Sequence, residues 1–244
     1  MFDIVIPLGP NEYSIIEKQI EYTKVNIIGF RNIYIVSSDP TIMVDGCVII
    51  PETIFPFTIS DINNIFNTDY RNGWYLQQLL KLYAGKCIPD ILDKYLVIDS
   101  DTFFIKPTYF IENDLCLYNY GTEYHIPYFE HMNRLHNSLM RMDNAKSGIS
   151  HHMMFETKYI DELFQLIEQT HNMPFWQCFL LQVKQPIPES GASEYEIYFN
   201  YMLRNHPDKI NIRKLEWDNN VSNIDNINIY VDDNNYISYH FYRR

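Results

Sequence analysis

An apolar segment that ends in two carboxylates constrains this chain more than any other feature. In KYLVIDSDTFFIKP, residues 94–107, an apolar run leads up to Ile98, and Asp99 and Asp101 follow it. The run predicts a buried strand, and Asp is normally disfavoured in strands. In open parallel sheets, ligands bind outside the carboxyl ends of the strands. The segment therefore predicts a ligand site where this strand ends.

The spacing of the two Asp residues indicates what such a site would hold. On an extended backbone, residues separated by one position point to the same face, so Asp99 and Asp101 are expected side by side. Their mutual repulsion favours a divalent cation, and hard oxygen ligands suit Mg²⁺ or Mn²⁺. The alternative is that the pair only caps a turn, since Asp favours turns. Apolar residues on both sides of this single D-x-D weaken that alternative.

The rest of the sequence predicts an α/β fold with a mainly parallel central sheet, flanked by helices. Over the first hundred residues, strand-like runs alternate with helical periodicity, which is typical of parallel nucleotide-binding sheets. The first half is predicted to contain the Asp-bearing strand, strands at Phe2–Pro7, Asn32–Ser37 and Cys47–Ile50, and helices at Asn11–Ile28 and Gly73–Lys86. The more mixed second half is predicted to contain strands at His151–Phe155, Ile210–Trp217, Ile227–Val231 and Tyr236–Tyr242, and helices at Lys158–Gln169 and Ser193–Leu203.

Charge and cysteine usage exclude several classes of function. The chain has 244 residues and a formal net charge of -12, which argues against a nucleic-acid groove and against binding to an anionic membrane. Its four cysteines lie far apart without a C-x-x-C pair, as in reduced intracellular proteins. The first residues do not form a signal peptide, and nothing approaches the roughly 20 apolar residues of a membrane span. We therefore expect a cytoplasmic protein.

Three segments resemble a known family of enzymes. YLVIDSDTFFIKP resembles the D-x-D segment of glycosyltransferases with the GT-A fold. GWYLQQLLKLYAG and the opening FDIVIPLGPNE resemble blocks of the DUF6492-like group, small GT-A enzymes from bacteria and large DNA viruses, similar to the capsid-glycosylating domain of chlorella viruses. The resemblance covers most of the chain and is strongest over 2–107. The Ile- and Asn-rich composition fits the AT-rich genome of a giant virus, which would place the protein in the host cytoplasm or the virion.

The resemblance implies one GT-A domain over 1–244, with a nucleotide-sugar-binding half at 1–107 and an acceptor-side half at 108–244. It implies metal-dependent transfer of a sugar from a nucleoside diphosphate sugar, with UDP favoured, to an acceptor hydroxyl on a protein or glycan. Asp101 would be the more direct ligand of Mn²⁺ or Mg²⁺, and Asp99 would contact the ribose or a metal-bound water. His240, near the end of the chain, would be a third metal ligand.

The resemblance also directs attention to a possible catalytic base near residue 194. Ser193 is typical of a helix N-cap, with Glu194 and Glu196 in the first turn of the helix. The helix dipole alone would explain acidic residues there. In inverting enzymes of this fold, a carboxylate at a helix start removes the proton of the acceptor hydroxyl. We expect Glu194 in this role, with Glu196 and Glu189 as alternatives, while a retaining mechanism stays open.

The remaining candidates are residues expected to contact the donor. Lys81 would bind phosphate or sugar hydroxyls, unless it is only a solvated helix residue, and Trp74 has the alternative role of a core anchor. His151 and His152 are adjacent and should point to opposite faces of a strand, and His152 is expected to face the site. The full set of donor-binding candidates is Pro7, Leu8, Gly9, Asn11, Ser37, Arg71, Trp74, Gln77, Lys81, Asp99, Ser100, His152 and Arg243.

Three other functions fit parts of the pattern. A phosphatase of the haloacid dehalogenase type also has D-x-D after an apolar strand, but it normally carries Thr two residues beyond the second Asp, where this chain has Phe103. A sugar nucleotidyltransferase would normally have a basic, Gly-rich loop after the first strand, and PLGPNEY contains no Lys or Arg. A carbohydrate-binding protein without catalytic activity would keep the fold and lack donor turnover.

Overall fold

A five-stranded, mostly parallel sheet forms the centre of the protein. The computed structural model describes residues 1–185, 190–221 and 223–243, the last residue by its backbone alone. The first half contains β1 (Phe2–Leu8), α1 (Ile16–Asn26), β2 (Ile27–Ile28), β3 (Phe30–Ser37), β4 (Val48–Pro51), α2 (Ile59–Phe66), α3 (Asn72–Cys87), β5 (Lys94–Ile98) and β6 (Thr102–Phe104).

The second half adds one strand to the central sheet and supplies most of the smaller elements. It contains β7 (Thr108–Tyr109), β8 (Ile111–Glu112), β9 (Leu115–Asn119), α4 (Ile126–Leu135), β10 (His152–Glu156), α5 (Thr157–His171), α6 (Phe175–Leu181), α7 (Glu194–Asn205), β11 (Ile210–Arg213), β12 (Trp217–Asp218) and β13 (Tyr236–Ser238). Short 3₁₀ helices lie at Pro10–Glu12, Glu52–Ile54, Pro207–Lys209, Ile227–Tyr230 and Phe241–Arg243.

The strand order of the central sheet creates a crevice at the end of β1. The order is β10-β5-β1-β3-β4, in which β10 is antiparallel to β5 and the other pairs are parallel. The chain passes from β1 to β3 and β4 on one side, and then returns to place β5 on the other side of β1. Such a reversal of direction is a topological switch point, where α/β sheets bind ligands. The carboxyl ends of β1 and β5, at Leu8 and Ile98, therefore border the expected site.

Apolar side chains on both faces hold this sheet in the interior. All residues of β1 are buried, as is normal for parallel strands covered by helices on both sides. Helix α3 packs against β1 and β5, and its Leu79 and Leu82 are fully buried. Burial of each such side chain contributes about 1.5–3 kcal/mol to the stability of the fold. The same apolar cluster extends from Phe2 to Tyr236, so it joins both halves of the chain.

A buried carboxylate joins the strands at the opposite, amino-terminal edge of the sheet. Each carboxylate oxygen of Asp3 accepts two hydrogen bonds. Oδ1 accepts from Arg31 Nε and from the Asn32 amide, both at 3.0 Å. Oδ2 accepts from Arg31 Nη2 at 2.6 Å and from the Leu92 amide at 2.8 Å. The Asp3 side chain is completely buried. These bonds connect β1 to β3 and to the segment that leads into β5.

A small sheet brings the end of the chain back to the end of β5. Strand β13 is antiparallel to β6, which follows the D-x-D segment, and β12 is parallel to β13. The Tyr239 amide donates to the Asp101 carbonyl at 2.8 Å. This pairing places His240 next to Asp101, although 139 residues separate them in the sequence.

The sequence predicted the α/β class and the mostly parallel sheet correctly, but several elements differ. The expected helix Asn11–Ile28 begins only at Ile16, because a 3₁₀ helix with Pro at its first position precedes it. The expected strand Ile227–Val231 is a 3₁₀ helix, in which Ile227 alone is buried, so the alternation of a strand is missing. Helices α2, α4 and α6 were not predicted. Among the described residues, no helix combines the length and apolar character needed to cross a membrane.

Candidate functional site

The two Asp residues lie in a turn between β5 and β6. The Thr102 amide donates to the Asp99 carbonyl at 2.9 Å, which closes the turn, and the Asp99 amide donates to the His151 carbonyl at 3.0 Å. The expectation of an extended backbone through Asp101 was therefore wrong. The chain has to bend here because β5 belongs to the central sheet and β6 to a smaller one. The turn still lies at the carboxyl end of β5, beside the switch point.

Asp99 is held by a lysine and a tyrosine. Lys81 Nζ donates to Asp99 Oδ1 at 2.6 Å, and the Tyr195 hydroxyl donates to the same oxygen at 2.9 Å. Lys81 Nζ also lies 4.5 Å from the centroid of the Tyr195 ring. The Asp99 side chain is 21% exposed, whereas that of Lys81 is 4% exposed. Lys81 is therefore a buried partner of Asp99, and the alternative of a solvated helix residue was wrong.

The same lysine binds Glu194 at the start of α7. Lys81 Nζ and Glu194 Oε1 are 2.6 Å apart, and the Glu194 amide donates to Gln78 Oε1 at 3.0 Å. Burial raises the pKa of Glu194, an effect that the charge of Lys81 opposes. Burial acts to lower the pKa of Lys81, but attraction to Asp99 and Glu194 outweighs it and raises that pKa. Lys81 is thus a permanent internal cation between two carboxylates.

Asp101 is paired with a histidine instead. His240 Nδ1 lies 2.9 Å from Asp101 Oδ2, and both side chains are about one-sixth exposed. The His151 ring lies 5.4 Å from that of His240. Burial lowers the pKa of His151, although the charges of Asp99 and Asp101 act in the opposite direction. A carboxylate and an imidazole therefore meet at the rim of the site, with a second, partly buried imidazole next to them.

This donor set fits a divalent cation that shares its shell with a substrate. Mg²⁺ and Mn²⁺ are commonly bound by one or two carboxylates together with phosphate oxygens and water, and Mn²⁺ also accepts imidazole. Asp101 and His240 would supply two ligands of this kind. Within residues 1–185, 190–221 and 223–243, no cluster of three or more His, Cys, Asp or Glu side chains is arranged to hold a metal alone. A cation at Asp101 would therefore depend on oxygen atoms from the ligand.

Comparison with known proteins gives a family without an assigned activity. Residues 24–240 match DUF6492, a family of unknown function. The chain belongs to DUF6492. The matched range includes the D-x-D turn, Lys81, Glu194 and His240. No curated protein matches the chain, so glycosyl transfer by this DUF6492 member stays a prediction.

Two carboxylates expected to act as bases are buried in this DUF6492 protein. The N-cap at Ser193 is confirmed, since its hydroxyl accepts from the Glu196 amide at 3.2 Å. The Glu196 carboxylate is fully buried, accepts from the Ser147 hydroxyl, and accepts from Asn200 Nδ2 at 2.8 Å. Glu194 is buried against Lys81. Neither side chain faces an open surface. Both are hydrogen-bonded to side chains of the elements packed around them.

The choice between the two adjacent histidines was wrong. His152 is buried in an aromatic cage, with ring centroids 4.9 Å from Tyr236, 5.0 Å from Phe104 and 5.5 Å from Phe110. Burial lowers the pKa of His152 well below its ordinary value. His151 lies on the site side, and its left-handed backbone, with φ of 57°, precedes the start of β10. The strand was expected to include His151, but it begins at His152, so the alternation of strand side chains does not set the direction of His151.

On α3, the structure brings Gln78 into the site in place of the candidate Gln77. Gln78 and Lys81 lie one turn apart on the face that meets Glu194, whereas Gln77 is partly exposed on another face. Trp74 shares the face of Lys81 but lies about two turns, or roughly 10 Å, further along the helix. The Arg71 guanidinium lies 4.9 Å from the centroid of the Trp74 ring. Arg71 and Trp74 therefore form a separate pair at the start of α3.

The candidates at the ends of β1, β3 and β5 mostly offer backbone atoms. Pro7, Leu8, Ser37 and Ser100 are buried, and the Ser37 hydroxyl accepts from the Asp39 amide at 3.2 Å. Gly9 is partly exposed and Asn11 is exposed, so both border the crevice at the end of β1.

Two candidates lie beyond what the structure describes, and three members of the site were not predicted from the sequence. Glu189 and the side chain of Arg243 lie outside the described residues. Tyr195, Gln78 and His151 were missed as members of the site. Tyr195 directly follows a predicted candidate at a helix start, which is the one sequence signal that points to it.

Proposed function

We propose that this protein is a metal-dependent glycosyltransferase with the GT-A fold, acting on a nucleoside diphosphate sugar. The observation that carries the proposal is the arrangement at the switch point. An Asp–His pair suited to a divalent cation lies beside a second Asp that is bonded to a buried lysine. Asp99 and Glu194 are bonded to one internal cation, Lys81, and Asp101 lies two residues after Asp99. With neutral imidazoles, this set carries two more negative than positive charges, which one divalent cation would balance.

In this proposal, each residue of the turn has a separate task. Asp101 and His240 hold Mn²⁺ or Mg²⁺ at the rim. When bound, the cation supplies Lewis-acid stabilisation of the departing diphosphate. Asp99 contacts the nucleotide, in an orientation fixed by Lys81 and Tyr195. Fixed polar groups of this kind avoid a reorganisation cost when charge develops on the leaving group.

The donor occupies the crevice between the ends of β1 and β5. The backbone of Pro7–Gly9 ends β1 there and offers amide and carbonyl groups to a nucleoside. UDP is the favoured nucleotide, on the basis of the sequence resemblance. The acceptor is a hydroxyl group of a protein or glycan, which approaches from the side formed by residues 108–244.

A phosphatase that uses Asp99 as nucleophile is the second candidate. Lys81, 2.6 Å from Asp99, would hold an approaching phosphate and favours this alternative. Against it, the oxygen nearest to Lys81 already accepts a second bond from Tyr195. Phosphate release from p-nitrophenyl phosphate that disappears in Asp99→Asn would support the phosphatase over glycosyl transfer.

A thermal-shift panel of nucleotide sugars, with and without Mn²⁺, tests the proposed function. A ligand at a hundredfold excess over its Kd stabilises the folded protein by about 2.7 kcal/mol. We expect a metal-dependent rise in melting temperature with one UDP-sugar, followed by release of UDP from it. A rise without any turnover would instead support a carbohydrate-binding protein. Absence of a rise with every donor contradicts the proposed function.

A matched pair of variants locates the effect. Asp101→Ala should abolish the Mn²⁺-dependent rise without unfolding the protein. Asp93→Ala, at an exposed position just before β5, should leave the rise unchanged. If the rise survives in Asp101→Ala, the role of Asp101 is wrong.

A further inference from the structure

The loop between β9 and α4, residues 120–125, is tied at both ends to segments of the site. Gly121 and Ser147 exchange two backbone hydrogen bonds, of 2.8 Å and 2.9 Å. At the other end, His125 Nε2 donates to the Ser190 carbonyl at 2.8 Å. A Cβ atom at Gly121 would lie 2.7 Å from the Ile149 carbonyl oxygen, so this close approach requires glycine. Two tethers therefore fix the position of the residues between them.

Each tether lies four residues before a residue of the network around Asp99. Ser147 lies four residues before His151, whose carbonyl accepts from the Asp99 amide. Ser190 lies four residues before Glu194, the partner of Lys81. The loop is thus tied to the segment that leads to His151 and to the segment that leads into α7.

A third connection joins the start of the loop to β13, the strand that precedes His240. Asn119 Nδ2 donates to the Tyr236 hydroxyl at 3.3 Å, and that hydroxyl donates to the Ser150 carbonyl at 3.0 Å. Tyr236 begins β13, and His240 follows two residues after that strand ends. The start of the loop is therefore fixed relative to the Asp101–His240 pair.

Glu123 lies between the two tethers and differs from the other carboxylates of the site. It is exposed, whereas Glu194 and Glu196 are buried and already bonded. Loss of surrounding water raises the pKa of the Glu123 carboxyl, while positive charge on His240 and His125 acts in the opposite direction. A base that serves an incoming acceptor has to reach a hydroxyl that arrives from solvent. Of these three glutamates, Glu123 is accessible to an acceptor that arrives from solvent, and Glu194 and Glu196 are not.

We propose that Glu123 is the general base that receives the proton of the acceptor hydroxyl; this inference rests on the proposed function. As the O–H bond breaks, its proton moves to the Glu123 carboxylate, and the acceptor oxygen forms a bond to the anomeric carbon. The bond between that carbon and the diphosphate oxygen breaks, and its electron pair leaves with the diphosphate. Attack from the side opposite the leaving group inverts the anomeric configuration. The reaction is therefore an inverting transfer.

Glu123→Gln tests this role, with water as the acceptor of the UDP-sugar found in the thermal-shift panel. Glu130→Gln is the matched control, since Glu130 is an exposed carboxylate on α4, paired only at 3.7 Å with Arg134. Loss of a general base typically lowers kcat by about 10²–10⁴. We expect a loss of this size in Glu123→Gln, with the Kd for UDP and Mn²⁺ unchanged. The control should retain the rate of the unmodified protein. NMR of the first sugar released should show inverted configuration.

The outcomes separate this inference from the proposed function. If the unmodified protein turns over a UDP-sugar and Glu123→Gln does so at the same rate, the role of Glu123 is refuted and the proposed function stands. Release of a sugar with retained configuration refutes the role in the same way. If the unmodified protein binds no UDP-sugar in the presence of Mn²⁺, the proposed function fails, and the role of Glu123 fails with it.

Discussion

The two ends of the central sheet each carry an Asp bonded to a basic side chain, but the two sites are built differently. At the amino-terminal end, both oxygens of Asp3 accept two hydrogen bonds, and the carboxylate is fully buried. At the carboxyl end, two donors share a single oxygen of Asp99, which is partly exposed. The first site is saturated by the protein, whereas the second leaves capacity to bind a ligand.

The balance of charge also differs between the two sites: it is complete at the amino-terminal end and incomplete at the carboxyl end. Asp3 is balanced by Arg31. Lys81, in contrast, is shared between Asp99 and Glu194, and Asp101 lies two residues beyond Asp99. Concentrating like charge costs stability, and proteins accept such a cost chiefly at functional sites. The comparison assigns the amino-terminal end to stabilisation of the fold and supports the proposal that the carboxyl end binds a ligand.

Removing the internal cation should have the largest effect on stability. Lys81→Met leaves Asp99 and Glu194 close together without a counter-ion, and breaking a buried ion pair in this way costs about 3–5 kcal/mol. Urea denaturation measures the loss. The double variant Lys81→Met/Glu194→Gln removes one of the two stranded charges and should recover part of it. If the double variant is no more stable than Lys81→Met, the cluster is not held together by charge.

Replacing Asp with Asn should lower the stability of the protein at the amino-terminal end of the sheet and change it little at the carboxyl end. Asp3→Asn replaces one of the two accepting oxygens of Asp3 with an NH2 group, so the part-buried amide of Asn32 or that of Leu92 loses its acceptor. At about 1–3 kcal/mol for each lost acceptor, we expect a loss on the order of 3 kcal/mol. Asp99→Asn keeps Oδ1 as an acceptor for Lys81 and Tyr195 and relieves repulsion, so its stability should change little.

Ligand binding should show the reverse order for these two variants. Asp99→Asn should weaken the Mn²⁺-dependent binding of UDP, and Asp3→Asn, measured below its melting temperature, should not. Equal losses of stability in the two variants would contradict the distinction between the two ends.

A histidine remote from both ends should make the protein sensitive to acid. Burial lowers the pKa of His131 to about 4, and its Nε2 bonds the Phe179 carbonyl at 2.8 Å. The unfolded chain takes up a proton near pH 6.5 and the folded protein does not, so stability is complete above that pH and falls as pH drops toward 4. The expected loss between pH 7 and pH 5 is about 2 kcal/mol. His131→Phe should remove this slope in denaturation experiments, while Mn²⁺-dependent binding of UDP at pH 7 persists.

The smallest predicted effect separates two adjacent glutamines. Gln78→Ala leaves the buried Glu194 amide without its acceptor, which costs about 1 kcal/mol. Gln77→Ala, on another face of α3, removes only a partly exposed side chain and should be neutral. Denaturation midpoints of the two variants provide the measurement, and equal midpoints would show that Gln78 does not support the site.

The parts of the site that depend on a local sequence pattern were predicted from the sequence. The apolar run before Asp99 and the helical periodicity around Lys81 located the two elements that build it. The N-cap at Ser193 followed from residue preference. These features depend on neighbours within a few positions of the chain.

Features that depend on distant neighbours were not predicted. The Lys81–Glu194 bond joins residues 113 positions apart, and no local pattern encodes it. The turn at Asp99 depends on the pairing of β6 with β13, far along the chain. Which of His151 and His152 faces the core depends on the aromatic side chains that surround β10. Exposure of Glu123, and burial of Glu194, likewise follow from tertiary packing.

Direct measurement of Mn²⁺ binding in the presence of UDP is the most decisive test of the carboxyl-end site. Titration calorimetry or the loss of the free Mn²⁺ signal in electron paramagnetic resonance would follow it in the unmodified protein, Asp101→Asn and Asp3→Asn. The account predicts that Mn²⁺ binds together with UDP, that Asp101→Asn loses this binding while remaining folded, and that folded Asp3→Asn retains it. Undiminished Mn²⁺ binding in Asp101→Asn would contradict it.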